Sequence, residues 1–241
     1  MQSNSIERII PEQAISDDIT GQSSLKLHIE RYEFALKHLR PGRLLDIACG
    51  VGYGTLLLVE KSNKTTIAIG VDLSRDAISY ANTHYAHEKI IFREHDAMTF
   101  SDEEGFDSIV SLETLEHVTD PFILISQLEN LLHPGGVIIA SVPTTPSMDV
   151  IPYHLHDFTE HSYRKMMTIH GLKEIYCLRQ IQSFKPDQIL KREESRMKDL
   201  RTDLLKYYFK KPMALVKRLW STIRYGFTNR YLTVVWQKDL S

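Results

Sequence analysis

Cysteine is scarce in this sequence: Cys49 and Cys177 are the only two among 241 residues. Two thiols cannot build a disulfide framework. The expectation is a reducing compartment, with both cysteines acting as small buried hydrophobes. Long apolar runs are missing too, and no stretch approaches the roughly 18 residues a membrane-spanning helix requires. Residues 1–10 are too polar for a signal peptide, so a cytoplasmic location is expected. Strong net charge is absent as well, at −2, and excludes little by itself. Its distribution is more informative. Lys and Arg outnumber Asp and Glu across 185–230, whereas acids dominate 1–184, so a basic module follows an acidic body.

What is present is an ordinary globular composition, with 42% hydrophobic residues, enough to exclude disorder. Residues 1–22 are polar and read as a flexible N-terminal segment; residues 23–241 read as one domain. Apolar positions at Leu25, Ile29, Tyr32, Leu36 and Leu39 follow helical spacing until Pro41-Gly42 ends the pattern. Strands and helices then alternate. Strands are expected at 43–48, 66–72, 89–94, 106–112 and 137–142, with helices at 55–60, 75–85 and 120–132 between them. A helix at 160–170 and strands at 172–178 and 231–237 complete the pattern. This implies an α/β fold with a doubly wound, mainly parallel, seven-stranded sheet. Residues 186–228 read as a basic helical insertion before the last strand. In such sheets ligands bind at the carboxyl ends of the strands.

The first candidate site lies at the end of the first strand, Asp46-Ile47-Ala48-Cys49-Gly50-Val51-Gly52-Tyr53-Gly54. Glycine allows a ligand to approach the backbone closely, and the following helix directs its first amides toward the same space. A glycine-rich turn alone also fits a nicotinamide enzyme or a plain tight turn. Two more acids sharpen the reading: Asp72 ends the second strand and Asp96 the third. An acid about twenty residues beyond the turn can accept both ribose hydroxyls. Either acid alone is equally well explained as a helix N-cap.

Together these segments resemble the class I S-adenosylmethionine-dependent methyltransferase family over roughly residues 25–142. Asp46 through Gly52 match its first motif and Asp72 the acid after its second strand. Asp96-Ala97 match the pair beside the adenine, Ser111-Leu112-Glu113 the loop after the fourth strand, and Pro134-Gly135-Gly136 a later turn. The resemblance implies a Rossmann-like fold and S-adenosyl-L-methionine as cofactor. It places Gly50 and Gly52 against the methionine portion, the ribose on Asp72, and the adenine near Leu73, Asp96 and Ala97, with Asp46, Ala48 and Leu112 also among the cofactor-binding residues. The spacing Gly50-x-Gly52-x-Gly54 departs from the GxGxxG of nicotinamide enzymes. Arg31, on the helix before the first strand, is a candidate partner for the donor carboxylate, with Tyr32 closing over the donor.

Chemistry at the acceptor is expected from Glu113, Glu116 and His117. If a helix begins near Glu113, these three share one face. Two carboxylates and an imidazole suit a divalent cation such as Mg²⁺, Mn²⁺, Fe²⁺ or Zn²⁺. The Glu-x-x-Glu-His pattern resembles the ubiquinone-biosynthesis O-methyltransferases and the enzymes that methylate small-RNA 2′-hydroxyls. In the latter branch a His five residues before a Thr completes the site, a position His154 matches and His156 does not. A similar segment also occurs in family members that hold no metal, where His117 or His154 would serve as general base. Either route favours an oxygen acceptor, because a neutral hydroxyl must lose its proton. A free amine needs less help, which keeps an N-methyltransferase open. A scaffold that retains the donor fold without catalysis is the remaining alternative.

The basic insertion admits several roles. It is a solvated helical face packed through Leu204, Leu205, Tyr208, Met213, Leu215, Leu219 and Trp220, or a lid on the acceptor pocket. A third role is contact with an anionic membrane surface. RNA ranks lowest, because positive charge is confined to this segment and no RNA-binding module is visible. The expected partner is therefore a small-molecule or glycosyl acceptor, with oligomeric state open.

Overall fold

The computed structural model describes residues 10, 11, 19–184 and 200–240. Helix α1 (Ile19–His38) leads into β1 (Gly42–Ile47), α2 (Tyr53–Lys61), β2 (Thr65–Asp72), α3 (Arg75–His84) and β3 (Ile90–Glu94). Then follow β4 (Phe106–Leu112), α4 (Pro121–Leu131), β5 (Leu132–Pro143), α5 (Glu160–Ile169) and β6 (Lys173–Ser183). Helices α6 (Leu204–Lys210) and α7 (Pro212–Tyr225) precede β7 (Thr228–Gln237). The strands form one seven-stranded sheet in the order β3-β2-β1-β4-β5-β7-β6. The first five run parallel, and β7 inserts antiparallel to both β5 and β6. The order reverses between β1 and β4, which opens a crevice above their carboxyl ends.

Alternation along each strand explains the layering. Leu45, Ile47, Ile69 and Ile109 face one cluster, packed by Leu124, Leu128 and Tyr163 of α4 and α5. Leu44, Ala68 and Val110 face the other, packed by Tyr32, Ala35 and Leu58 of α1 and α2. Local chemistry sets the helix starts. Asp120 caps α4 by accepting from the backbone N–H of Phe122 and Ile123, with Pro121 behind it in the first turn. Ser74 caps α3 through the Ala77 N–H, and Thr159 and Ser162 cap α5 reciprocally. The buried Trp236 indole donates to the Tyr163 hydroxyl at 3.0 Å, which donates to the Ala140 carbonyl at 2.9 Å, so the deepest ring leaves no polar atom stranded.

Four expectations change. Residues 19–22, expected to belong to a flexible segment, lie in α1; the rest of that expectation, on 1–9 and 12–18, lies outside the described residues. No helix begins at Glu113, because residues 113–119 form turns and bends before α4. Cys49 is buried, but Cys177 is exposed on β6. Of the apolar residues expected to pack the insertion, Leu204 and Tyr208 are half-buried, whereas Leu205, Met213, Leu215, Leu219 and Trp220 are exposed. Part of that insertion, 185–199, lies outside the described residues. Among the described residues no helix is long and apolar enough to cross a membrane.

Candidate active site

The glycine turn is a left-handed passage between β1 and α2. Ala48, Gly50 and Gly52 take φ values of 58°, 59° and 88°. Each glycine has a different reason. A methyl group on Gly50 would meet nothing within 4 Å, so this backbone lies bare to the crevice. On Gly52 it would sit 2.7 Å from the Phe92 ring and 2.8 Å from Ala81, and on Gly54 it would run into the Tyr32 ring at 1.9 Å. Gly52 was expected to bare its backbone to a ligand. Instead its missing side chain lets the turn pack on α3 and β3. Asp72 fastens the turn: its carboxylate accepts from the Gly50 N–H at 2.9 Å and from the Ser74 N–H at 2.8 Å. Leu73, exposed beside it, and Asp96-Ala97 form an open ledge at the ends of β2 and β3. The Asp96 carboxylate turns back to accept from the Met98 N–H at 2.8 Å.

Asp46 departs from its expected role. It is fully buried and lies behind the turn, outside the cavity lining. Its carboxylate accepts from the Thr55 hydroxyl at 2.6 Å and the Tyr32 hydroxyl at 3.3 Å. Tyr32 is likewise a buttress beneath the turn, with no place in the cavity lining. Burial raises the Asp46 carboxyl to about 7, against the lowering effect of those two donors. A carboxyl raised on folding holds its proton more tightly in the native state. Its contribution is present at pH 4 and lost as pH rises toward 7. Thermal melts of Asp46→Asn should lack this dependence, so the wild type should lose stability relative to the variant between pH 4 and 7. The expected difference is on the order of a few kcal/mol. Parallel curves would show that folding leaves the Asp46 carboxyl's proton affinity unchanged and overturn the assignment.

A cavity of about 280 Å³ opens where β1 and β4 diverge. Its floor is Ala48, Gly50 and Leu112; its walls come from α1, the turn after β4, the loop after β5, the ends of β6 and β7, and α7. Arg31 projects into it from α1 and is buried. Its guanidinium donates to Gln180 at 2.9 Å, stacks on the Tyr231 ring at 4.3 Å and lies 3.9 Å from Glu113. Gln180 and Tyr231 carry no sequence signal of this role, because β6 and β7 meet α1 only across the folded sheet.

Glu113 sits at the tip of β4 with φ 52°, an uncommon backbone for a residue with a side chain. The Ser141 hydroxyl donates to its carboxylate at 2.8 Å, which directs it toward Arg31 and away from the other candidates. Glu116, His117 and His154 do converge, with one ligand atom from each within 4.8 Å of the others. Glu113 lies outside this group, which corrects the expected four-residue cluster. The convergence arises from a turn and a distant loop, tied by the Leu155 N–H donating to the Glu116 carbonyl at 2.7 Å. His117 Nδ1 lies 3.3 Å from the Tyr153 carbonyl, which can only accept, so in that bond Nδ1 carries the hydrogen and the basic lone pair is on Nε2. His154 Nδ1 pairs with the Ser147 hydroxyl at 2.6 Å. His156 turns away to the Val118 carbonyl at 2.9 Å.

A doubly wound sheet of this strand order, with a bare glycine turn, an acid at the next strand end and a cavity where β1 and β4 diverge, defines a class I S-adenosylmethionine-dependent methyltransferase. Residues 24–192 match the family model for a methyltransferase domain, and the chain belongs to that family. Phosphoethanolamine N-methyltransferase 3 of Arabidopsis thaliana is 31% identical over 169 residues, covering 64% of this chain and 33% of that protein. The ubiquinone biosynthesis O-methyltransferase of Alkalilimnicola ehrlichii is 32% identical over 122 residues, 48% of this chain and 47% of that protein. The chain thus matches between a third and a half of these relatives' lengths. Among solved structures, the N-methyltransferase NodS of Bradyrhizobium japonicum WM9 with S-adenosyl-L-homocysteine superposes with a TM-score of 0.59 at 16% identity, over 88% of this chain and 86% of that one. YcgJ of Bacillus subtilis gives 0.66 at 15% identity, over 88% and 99%. At such identities the likeness establishes the fold.

Proposed function

We propose that this enzyme methylates a hydroxyl on a small-molecule or glycosyl acceptor. The observation that carries the reading is the convergence of Glu116, His117 and His154 on the cavity that Gly50 also lines. The donor, when bound, supplies an electrophilic sulfonium methyl. The chain's residues fit it: Gly50 offers bare backbone, Arg31 a buried cation for a carboxylate, and Asp72 an acid at the end of β2 for the ribose. Leu73, Asp96 and Ala97 offer a ledge for the base. The acceptor is then held in line with the methyl, and His117 Nε2 takes its proton while Glu116 stabilises the resulting imidazolium. His154 orients the acceptor oxygen by hydrogen bonding.

The same three side chains, one carboxylate and two imidazoles, are also a donor set suited to a divalent cation. Such an ion would stabilise the alkoxide at this place. Identity to both N- and O-methyltransferases leaves nitrogen acceptors as the second reading.

Transfer of labelled methyl to matched hydroxyl and amine acceptors tests the assignment, with methyl ether as the expected product; exclusive formation of methylammonium products would sink it. Exhaustive chelation, read together with bound-metal content, separates the two routes to the alkoxide. If the cation operates, activity should fall at least tenfold and return with metal. Unchanged turnover in a metal-free enzyme leaves His117 as the base.

A further inference from the structure

Helix α7 is amphipathic in the wrong sense for a helix on a globular surface. The face turned toward the protein carries Ala214, Arg218, Ser221 and Thr222, with Ser221 buried. The opposite face carries Val216, Leu219, Trp220 and Ile223, at helical spacing, with Trp220 57% and Ile223 85% exposed. Leu205 and Phe209 of α6 are exposed as well. The inward face is anchored by polar bonds: Arg218 pairs with Asp149 at 2.6 Å, and the Tyr208 hydroxyl donates to the same carboxylate at 2.6 Å. Burial of Asp149 opposes its ionisation, but Arg218 and Tyr208 prevail and hold it below the usual carboxylate range. The orientation of α7 is thus set by an ion pair, and its apolar stripe is left on the surface.

The charge around that stripe is of one sign. Lys206, Lys210, Lys211, Lys217 and Arg224 are exposed, and residues 204–227 contain no Asp or Glu. An apolar stripe with an aromatic ring and a basic surround is the pattern of helices that lie in the headgroup region of an anionic bilayer. A second copy of this chain fits poorly, since closing two such faces together would press uncompensated cations against one another.

We propose that α6 and α7 dock the enzyme on an anionic lipid surface, with Val216, Leu219, Trp220 and Ile223 entering the interface and the lysines meeting headgroup phosphates. Arg218 on the inner side of α7 also lines the acceptor cavity. Docking would therefore hold that cavity one helix away from the bilayer, and the acceptor, on the hydroxyl reading above, is carried by a membrane-partitioned molecule.

The chain contains two tryptophans, and Trp236 is fully buried, so a change in emission on membrane contact reports Trp220. The full chain is titrated with vesicles of phosphatidylcholine containing 30 mol% phosphatidylglycerol, and with pure phosphatidylcholine. Expected are a blue shift and co-sedimentation with the anionic vesicles, at least tenfold weaker in 0.5 M salt. Leu219→Ser/Ile223→Ser and Lys210→Glu/Lys211→Glu should each weaken binding at least tenfold and leave S-adenosylhomocysteine affinity unchanged. No shift, or equal binding to neutral vesicles, overturns the proposal. So does a solution dimer that Trp220→Ser dissociates, which would assign the face to a second copy. A long-chain phenol in vesicles and its short soluble analogue separate the acceptor claim. Faster methylation of the vesicle-borne phenol supports it, and equal rates overturn it with docking intact. Transfer to neither phenol but to amines would instead fault the hydroxyl reading.

Discussion

His117→Ala is expected to lower kcat by about 10²- to 10⁴-fold, the range typical for removing a general base, with S-adenosylhomocysteine affinity kept within about twofold. The argument is geometric. Transfer to a hydroxyl requires that its proton leave as the carbon–oxygen bond forms. His117 presents a basic Nε2 because its Nδ1 faces the Tyr153 carbonyl. Glu116 is fully buried beside it, and an ionised carboxylate there favours the imidazolium that forms. Glu116→Gln keeps the shape and removes the charge, and should reproduce most of the loss. Neither residue belongs to the glycine turn, so calorimetry with the spent donor serves as the control. Full kcat in both variants would mean that the acceptor needs no deprotonation here.

Gly52→Val is expected to destabilise the fold by roughly 3 kcal/mol or more, while Gly50→Ala costs only about 1–2 kcal/mol. Both positions have positive φ, so both substitutions strain the backbone. They differ in what surrounds them. At Gly52 the new side chain collides with Phe92 and Ala81, which belong to the core; at Gly50 it enters open space. A loss of 3 kcal/mol in a chain of this size lowers Tm by about 6–12 °C. Gly50→Ala should instead retain the fold and lose at least tenfold in donor affinity, because its methyl group occupies the backbone approach. Melting curves with donor titrations read both effects. If Gly52→Val were as stable as the wild type, the assigned packing role would fail.

Much of the fold could be read from local pattern. The alternation of strands and helices, the glycine turn after Asp46 and the acid at Asp72 are features of period and spacing, which short-range sterics and hydrogen bonding enforce. Boundaries moved where chain neighbours do not decide them: α4 starts one residue late because Asp120 caps it, β5 begins at Leu132, five residues early, where Leu132 pairs with Phe106 ahead of the glycine turn, and β6 runs on to Ser183 along β7. The acceptor residues were legible as types and illegible as geometry. Spacing alone predicts a helical face for Glu113, Glu116 and His117. In the fold, a left-handed residue at Glu113 prevents the helix and sends that carboxylate toward Arg31.

By itself the sequence determined the class of fold, the place of the donor turn and the kinds of side chain available for chemistry, because these depend on neighbours along the chain. Only the tertiary structure decided which of them meet. His154 reaches Glu116 and His117 through the loop after β5, Gln180 and Tyr231 seat Arg31 across the sheet, and the Arg218–Asp149 pair turns the apolar stripe of α7 outward. Those contacts join residues far apart in sequence, and hydrophobic period alone could not say which face of α7 an ion pair would hold against the protein.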